Sequence, residues 1–366
     1  MFKLIAKDGK ARAGELHVKG KIIKTPFFMP VATKGSVKFM NTKLLAKAGI
    51  ECIISNSLIF LWNPGLELVE KSGGIHKFIN WEKGIFTDSG GFQSLDNDML
   101  IGATDEAAKF KSPFDGQTHK ISPEKAIEIQ NRLGSDVSMC LDHVPQHDDN
   151  YDTVQKKTLR THNWAKRCKE HHNRLKSNQL LFGIVQGGNF VDIRKKSIQY
   201  LSELEFDGLA QGGLAIGEPI EKMYSTLKET TPLMPESITR YLMGVGNPLD
   251  ILECVGNGVD CFDSTFPTQN ARHGTIFTFE KKIRLLKSAY KNDLTPLDKN
   301  CNCLACKNYS KAFIRHMLKN GEGVGYELAT IHNITFMQEM MEKIRGSIID
   351  KNFHKLKHEI KKNFSS

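Results

Sequence analysis

The sequence predicts an α/β fold: an irregular (β/α)8 TIM barrel, with an N-terminal β-meander before it and a C-terminal zinc-binding subdomain after it. Three observations carry that prediction. Eight short apolar runs recur between residues 27 and 263, with helical patterns between most of them. Several of these runs end in aspartate, glutamine or paired glycine, where a barrel builds its active site. Cys301, Cys303 and Cys306 crowd together near the end of the chain, a spacing that suits a metal better than a disulfide framework.

Composition bounds the answer. With 366 residues, 40% hydrophobic and 25% charged, the chain has ordinary globular values. Disorder, collagen and coiled coil are excluded, and the length suffices for a large core without disulfides. A formal net charge of +10 suits an anionic partner, nucleic acid first, or simply a basic proteome, and composition does not separate the two. Lys3, Lys7 and Asp8 break any apolar leader, and the longest apolar stretch, Ser57 to Trp62, is too short to span a bilayer. A soluble, reducing, cytoplasmic protein with no membrane partner is expected.

The elements follow in order. Residues 2–25 alternate, with turn signals at Asp8-Gly9 and Lys19-Gly20, and read as the meander. Barrel strands are expected at Phe27–Val31, Cys52–Ser55, Gly84–Asp88, Asp136–Asp142, Leu181–Gln186, Gly208–Leu214, Tyr241–Gly246 and Val259–Asp263. The clearest helix starts at Ser122, a capping residue followed by Pro123; Ala126, Ile129 and Leu133 share a face and Gly134 stops it. The rival, an open doubly wound sheet, lacks a GxGxxG after its first strand. Residues 95–120 interrupt the rhythm as an inserted hairpin over the site. From about 275 the pattern changes, with helices expected at 309–320 and 330–348. The tail KNFHKLKHEIKKNF is a basic amphipathic helix, either a solvated terminus or an RNA contact. Three units result: a catalytic barrel with its cap over 1–274, a zinc subdomain over 275–350 and a basic tail over 351–366.

Asp88-Ser89-Gly90-Gly91, Asp142, Gln186-Gly187-Gly188, Gly212-Gly213 and Asp263 all fall at strand ends. One acid after a strand is usually a cap or turn former; this many at successive ends point to a site, with glycines that let a ligand approach the backbone. The three clustered thiols need a fourth ligand for zinc, with His316, His332 and His354 as candidates; His332, opening a helical pattern, is chosen. One structural zinc per chain is expected. Cys52, Cys140, Cys168, Cys254 and Cys261 read as buried small hydrophobes.

FTDSGGFQ (86–93), FGIVQGG (182–188), GGLAIGE (212–218), YLMGVG (241–246), FDSTFPTQNARHG (262–274) and CxCxxC with His332 together closely resemble the tRNA-guanine transglycosylases of the bacterial, queuosine-forming type. The likeness runs from about residue 10 to 355. It implies an irregular (β/α)8 barrel with a zinc subdomain, a homodimer, and exchange of a tRNA guanine, at anticodon position 34, for a free 7-deazaguanine base. That base is expected to be aminomethyl-bearing preQ1 or cyclopentenediol-bearing queuine. By the same resemblance Asp263 is the nucleophile and Asp88 the general acid/base. Asp142, Gln186, Gly213, Leu214 and Ser89 bind the base, and Phe92 and Met243 sandwich it. Thr268, Gln269 and Arg272 contact tRNA. The residue types suit this chemistry: a carboxylate attacking C1′ gives a covalent ribosyl-enzyme, and a second acid moves the proton. Asp142 suits the N1–H and N2–H donors of guanine, Gln186 and a Gly213 N–H its O6.

The sequence departs from the family at three places. Asp142-His143-Val144 replaces an Asp-Glu-Cys, Ser55 to Phe60 replaces a GNTYHL, and Gln269 stands where many members have arginine. Competing readings are archaeosine-type exchange of a nitrile-bearing base at a D-loop guanine, a non-catalytic tRNA-binding paralogue, and a hydrolase of free nucleosides. The paralogue is expected to lose a catalytic aspartate, yet Asp88, Asp142, Gln186 and Asp263 are all present. The charge of +10 and Arg272 speak against the hydrolase.

Overall fold

In a computed structural model of the chain, residues 1–90 and 99–364 are described. Three antiparallel strands open it: β1 (Phe2–Asp8), β2 (Ala11–Val18) and β3 (Lys21–Thr25). The parallel strands are β4 (Phe27–Pro30), β5 (Cys52–Asn56) and β6 (Gly84–Asp88). After an antiparallel insert of β7 (Leu100–Ala103), β8 (Ala108–Lys111) and β9 (Thr118–Ile121) come β10 (Val137–Met139), β11 (Leu180–Val185), β12 (Gly208–Gln211), β13 (Thr239–Leu242) and β14 (Cys261–Ser264). The eight parallel strands pair in chain order and β14 returns to β4. A bridge from Val31 to Ile54 joins the end of β4 to β5, with the Ala32 N–H on the Ile54 carbonyl at 2.7 Å, and it completes the cylinder.

The strands read as continuous apolar runs because both faces are covered, by barrel filling inside and helices outside. Phe86 fills the interior: it meets Phe182 edge-on at 5.5 Å, Tyr241 at 6.0 Å and Phe27 at 6.1 Å. Several strands stop short of their expected ends. The run Asp136–Asp142 is a strand only over Val137–Met139, and Gly208–Leu214 leaves the sheet after Gln211. Their polar and glycine ends curl outward to line the mouth instead.

The meander lies at the opposite end. Asp260 and Asp136 precede β14 and β10, and both are fully buried. Arg12 of β2 reaches Asp260 with two bonds, at 2.8 and 3.1 Å, and Lys21 of β3 reaches Asp136 at 2.8 Å. These ion pairs seal the floor of the barrel and leave its mouth free.

Local signals set the clearest helix. Over Pro123–Leu133, the Ser122 hydroxyl accepts from Lys125 N–H at 3.2 Å, proline occupies the first turn, and Gly134 closes it at φ 77°. The insert has one strand more than the expected hairpin; its beginning, residues 95–98, lies outside the described residues. Trp164 Nε1 on the Asp105 carbonyl at 2.9 Å ties the insert to the helix Tyr151–Leu175. The long C-terminal helix runs Gly323–Ile349, earlier than expected. Gly325 is a packing glycine within it: a Cβ there would lie 2.7 Å from the Leu318 nitrogen of the preceding helix. The tail forms the helix Phe353–Phe364 and is packed rather than free. Phe353 and Ile360 are buried, and Lys357 pairs with Glu253 at 2.6 Å. No helix among the described residues is long and apolar enough to cross a membrane.

Candidate active site and metal centre

The strand ends converge as barrel closure requires. One cleft of about 580 Å³ is walled by Asp142, Gln186, Gly213, Leu214 and Met243, with Asp88 at its edge. A second, of about 840 Å³, shares Asp88, Met243 and Gly244 and adds Asp263. Two carboxylates therefore face one space, and the third lies in the adjoining one.

Asp263 ends β14. Burial raises its affinity for a proton, while the Tyr241 hydroxyl at 2.5 Å and the Gly244 N–H at 2.9 Å oppose this. Both donate to Oδ1, so Oδ2 has no protein partner among the described residues. Burial likewise drives the Tyr241 hydroxyl far above its ordinary pKa, with the Asp263 charge adding to it, so it acts only as a donor.

Asp88 ends β6. Burial first pushes its carboxyl up to about 7; the charges of Asp263 and Asp142 push the same way, while backbone N–H groups of Gly90 and Ser57 hold it back. The Asn56 amide donates to its Oδ2 at 3.3 Å, while Asn56 Oδ1 accepts from Ile59 N–H at 2.9 Å and caps the helix Ser57–Trp62. The divergent segment after β5 thus has a defined task beside the acid.

Asp142, only 5% exposed, is pushed up to about 6 by burial, against the Gln186 amide at 2.6 Å. Gln186 is fully buried and its Oε1 has no partner. Such an orphaned acceptor marks a group kept for a ligand. Glycine is obligatory behind it: a Cβ on Gly212 or Gly213 would stand 2.6 or 2.4 Å from Gln186 atoms, and Gly213 has φ 63°.

The other expected residues divide. Met243 is half-buried and borders both cavities. Ser89 lines the first but commits its hydroxyl to the Cys140 carbonyl at 2.8 Å, so it shapes the wall. Phe92 lies outside the described residues. Thr268, Gln269 and Arg272 share the helix Phe266–Arg272; Gln269 is exposed and Arg272 half-buried, whereas Thr268 is 3% exposed and donates to the Thr265 carbonyl. As placed, Thr268 offers its hydroxyl to the helix and not outward. His143 is a packing residue: it accepts from Arg160 at 3.1 Å and stacks on Trp164, while burial and then the Lys157 and Arg160 charges lower its pKa to about 4. Asn56, Tyr241 and Arg194 were not singled out from sequence. Tyr241 sits in a strand pattern and Arg194 in a helix, and no local spacing marks either.

The thiols of Cys301, Cys303 and Cys306 and a ring nitrogen of His332 all lie within 4.8 Å of one another and could hold one metal ion. His332 Nδ1 stands 3.2 Å from the Cys306 sulfur and 3.7 Å from that of Cys303. Its Nε2 donates to the Phe277 carbonyl at 2.8 Å, which fixes the ring and aims Nδ1 at the thiols. His316 is engaged with Asn320 instead, and neither it nor His354 joins the group.

A sequence model of the family described as queuine tRNA-ribosyltransferase matches residues 7–366. A protein of that name from Thermodesulfovibrio yellowstonii is 46% identical over 367 residues, covering 99% of this chain and 96% of its own. Those from Halothermothrix orenii and Fusobacterium nucleatum are 47% and 45% identical, covering 93% and 97% of this chain and 90% and 96% of their own.

Proposed function

The chain belongs to the queuine tRNA-ribosyltransferase family, and on that premise we propose that it exchanges a guanine of tRNA, at anticodon position 34, for a free 7-deazaguanine base in queuosine biosynthesis. The observation that carries the assignment of roles is the pairing of Asp88 and Asp263 on one cavity, beside Asp142 and its Gln186 amide partner in the next.

Asp263 Oδ2 forms the bond to C1′ while the C1′–N9 electron pair departs with guanine; the product is a ribosyl ester of Asp263. Asp88, its carboxyl near neutrality, is protonated in a large fraction of molecules and gives its proton to the leaving base. It then takes the N9 proton of the incoming base, whose nitrogen pair attacks C1′ and frees the Asp263 carboxylate. One glycosidic bond replaces another, so no ATP is consumed. Asp142 accepts from N1–H and N2–H, and the Gln186 amide and Gly213 N–H serve O6. Met243 and Phe92 take the faces that the extruded base loses on leaving its stack. Gln269 and Arg272 meet tRNA, with Thr268 ordering their helix.

Glu218 supports the aminomethyl base. Its carboxylate accepts from Ala215 N–H at 2.6 Å and Ile216 N–H at 3.0 Å, so it is occupied by the loop. Because a trans peptide sets its N–H and C=O in opposite directions, the Leu214 carbonyl faces away from Glu218, free to accept from an ammonium. Val144 and Ile216 both line this cleft, and queuine ranks second.

The metal is zinc. With Zn–S of about 2.3 Å and Zn–N of about 2.0 Å, a sulfur and a nitrogen at two corners of a tetrahedron stand about 3.5 Å apart; the sulfur-to-nitrogen distances of 3.2 and 3.7 Å bracket that value. Cys301, Cys303, Cys306 and His332 would hold the ion with four protein ligands, so zinc there would supply a structural cross-link within residues 275–350. The family resemblance supports a cytoplasmic homodimer. The test is incubation with tRNA and radiolabelled guanine without ATP. Wild type is expected to incorporate label, and Asp263→Ala to lose both incorporation and the RNA adduct on a denaturing gel. An adduct that persists in Asp263→Ala would overturn the assignment.

A further inference from the structure

Arg194 lies on the helix Val191–Glu203, fully buried, and does not line either cavity. No carboxylate pairs with it among the described residues. Its guanidinium spends its donors on acceptors behind the base cleft: Nε on the Gly188 carbonyl at 2.7 Å, Nη1 on Gln211 Oε1 at 3.0 Å, and Nη2 on the carbonyls of Gly212 at 2.8 Å and Gly213 at 3.2 Å. Gln211 is itself held, its amide donating to the Thr230 hydroxyl at 3.1 Å. Burial lowers the Arg194 pKa to about 9, so the group stays cationic at neutral pH.

The Gly212 carbonyl shares a peptide with the Gly213 N–H, and the Gly213 carbonyl shares one with the Leu214 N–H. In a planar trans peptide those groups point in opposite directions. Arg194 therefore holds both peptides by their carbonyl ends, and their N–H ends face away from it, toward the cleft that Gly213 and Leu214 line. Gly213 takes a left-handed φ of 63° at this turn.

The geometry points to Arg194 as a positioning residue for base exchange: it orients and polarises the Gly213 and Leu214 N–H donors at the site of guanine O6. This inference rests on the function proposed above. When the C1′–N9 pair departs with guanine, part of the negative charge spreads to O6 until Asp88 delivers its proton. Preorganised donors aimed at that oxygen act on charge that develops only in the transition state. The buried cation reinforces them without touching substrate. It also explains Gly187, where a Cβ would stand 2.6 Å from Arg194 Cγ: that glycine admits the arginine, not the ligand.

The test compares incorporation of guanine with that of 6-thioguanine, whose sulfur is the weaker acceptor, by wild type, Arg194→Gln and Arg194→Lys. Calorimetric affinities of both free bases and zinc content are measured alongside. Arg194→Gln is expected to lose roughly 10–100-fold in kcat/KM for guanine, below the ~10²–10³ of deleting an oxyanion donor outright. It should lose much less for 6-thioguanine, so that discrimination between the bases shrinks by about tenfold, with Arg194→Lys intermediate. Equal losses for both bases, or no loss, overturn the proposal. If Arg194→Gln does not fold, Gln211→Leu, which frees Nη1 and releases the Thr230 hydroxyl, is expected to shrink discrimination in the same direction, and unchanged discrimination there overturns it. The functional reading fails by a different sign, wild type that binds guanine yet exchanges none, and the role of Arg194 in that exchange then falls with it.

Discussion

Replacing Tyr241 by phenylalanine removes one hydroxyl and keeps the ring that packs edge-on to Phe86. That hydroxyl donates to Asp263 Oδ1 at 2.5 Å and cannot itself ionise near neutrality. It favours the carboxylate over the acid, as does the Gly244 N–H, so deleting it raises the pKa of Asp263. A hydrogen bond to a charged group contributes about 1.5–3 kcal/mol, and about 1.4 kcal/mol corresponds to one pH unit. The ascending limb of kcat/KM against pH is therefore expected to move to higher pH by about 1–2 units. The descending limb reports loss of the Asp88 proton near pH 7 and stays in place. The bell narrows from its acid side, and its peak falls as the two ionisations approach each other. Initial rates of labelled-guanine exchange between pH 5 and 9 read both limbs. A uniformly slower enzyme with an unmoved ascending limb would refute the claim that Tyr241 acts by holding Asp263 ionised.

Other consequences are separable from that one. A buried carboxyl whose pKa is raised by folding favours the native state fully only below its unfolded value, and that contribution is lost as pH rises through the folded value. Asp88, moved from the usual 3.8 to about 7, thus weighs against the fold at pH 8. Asp88→Asn should raise Tm by about 2–4 °C there, an advantage that shrinks toward pH 4, while exchange falls about 10²–10⁴-fold. Gly213→Ala should abolish base binding measured by calorimetry with the far-ultraviolet dichroism intact, since its Cβ would stand 2.4 Å from Gln186 Oε1 at a positive φ. Asp260→Ala strands the buried Arg12 guanidinium on the barrel floor; a loss of about 3–5 kcal/mol, read as a lower midpoint in urea, should leave the KM for guanine unchanged. Cys303→Ala should release about one zinc per chain and loosen the C-terminal subdomain, because structural metal binding is coupled to folding; zinc-free wild type purified under reducing conditions would refute it.

Much of this molecule is written locally. The alternation of residues 2–25 makes a meander, apolar runs covered on both faces make barrel strands, and Ser122, Pro123 and Gly134 bound their helix, because each signal acts within a few residues. The acids at strand ends and the three thiols were legible for the same reason. Which groups act on those acids was not. Asn56 reaches Asp88 across 32 residues of chain, Tyr241 reaches Asp263 across 22, and Gln186 reaches Asp142 across 44. Those meetings depend on the register in which neighbouring strands pair as the cylinder closes, and no window of sequence contains it. Glycines mislead for a related reason: the sequence marks Gly187, at a strand end, as room for a ligand but not what approaches it, and packing assigns it to the Arg194 stem. The meander, too, is read from its own residues, while its seat beneath the barrel follows from Arg12 and Lys21 finding Asp260 and Asp136, 248 and 115 positions away. A buried charge needs its partner wherever the chain has carried it, and only the tertiary structure says where that is.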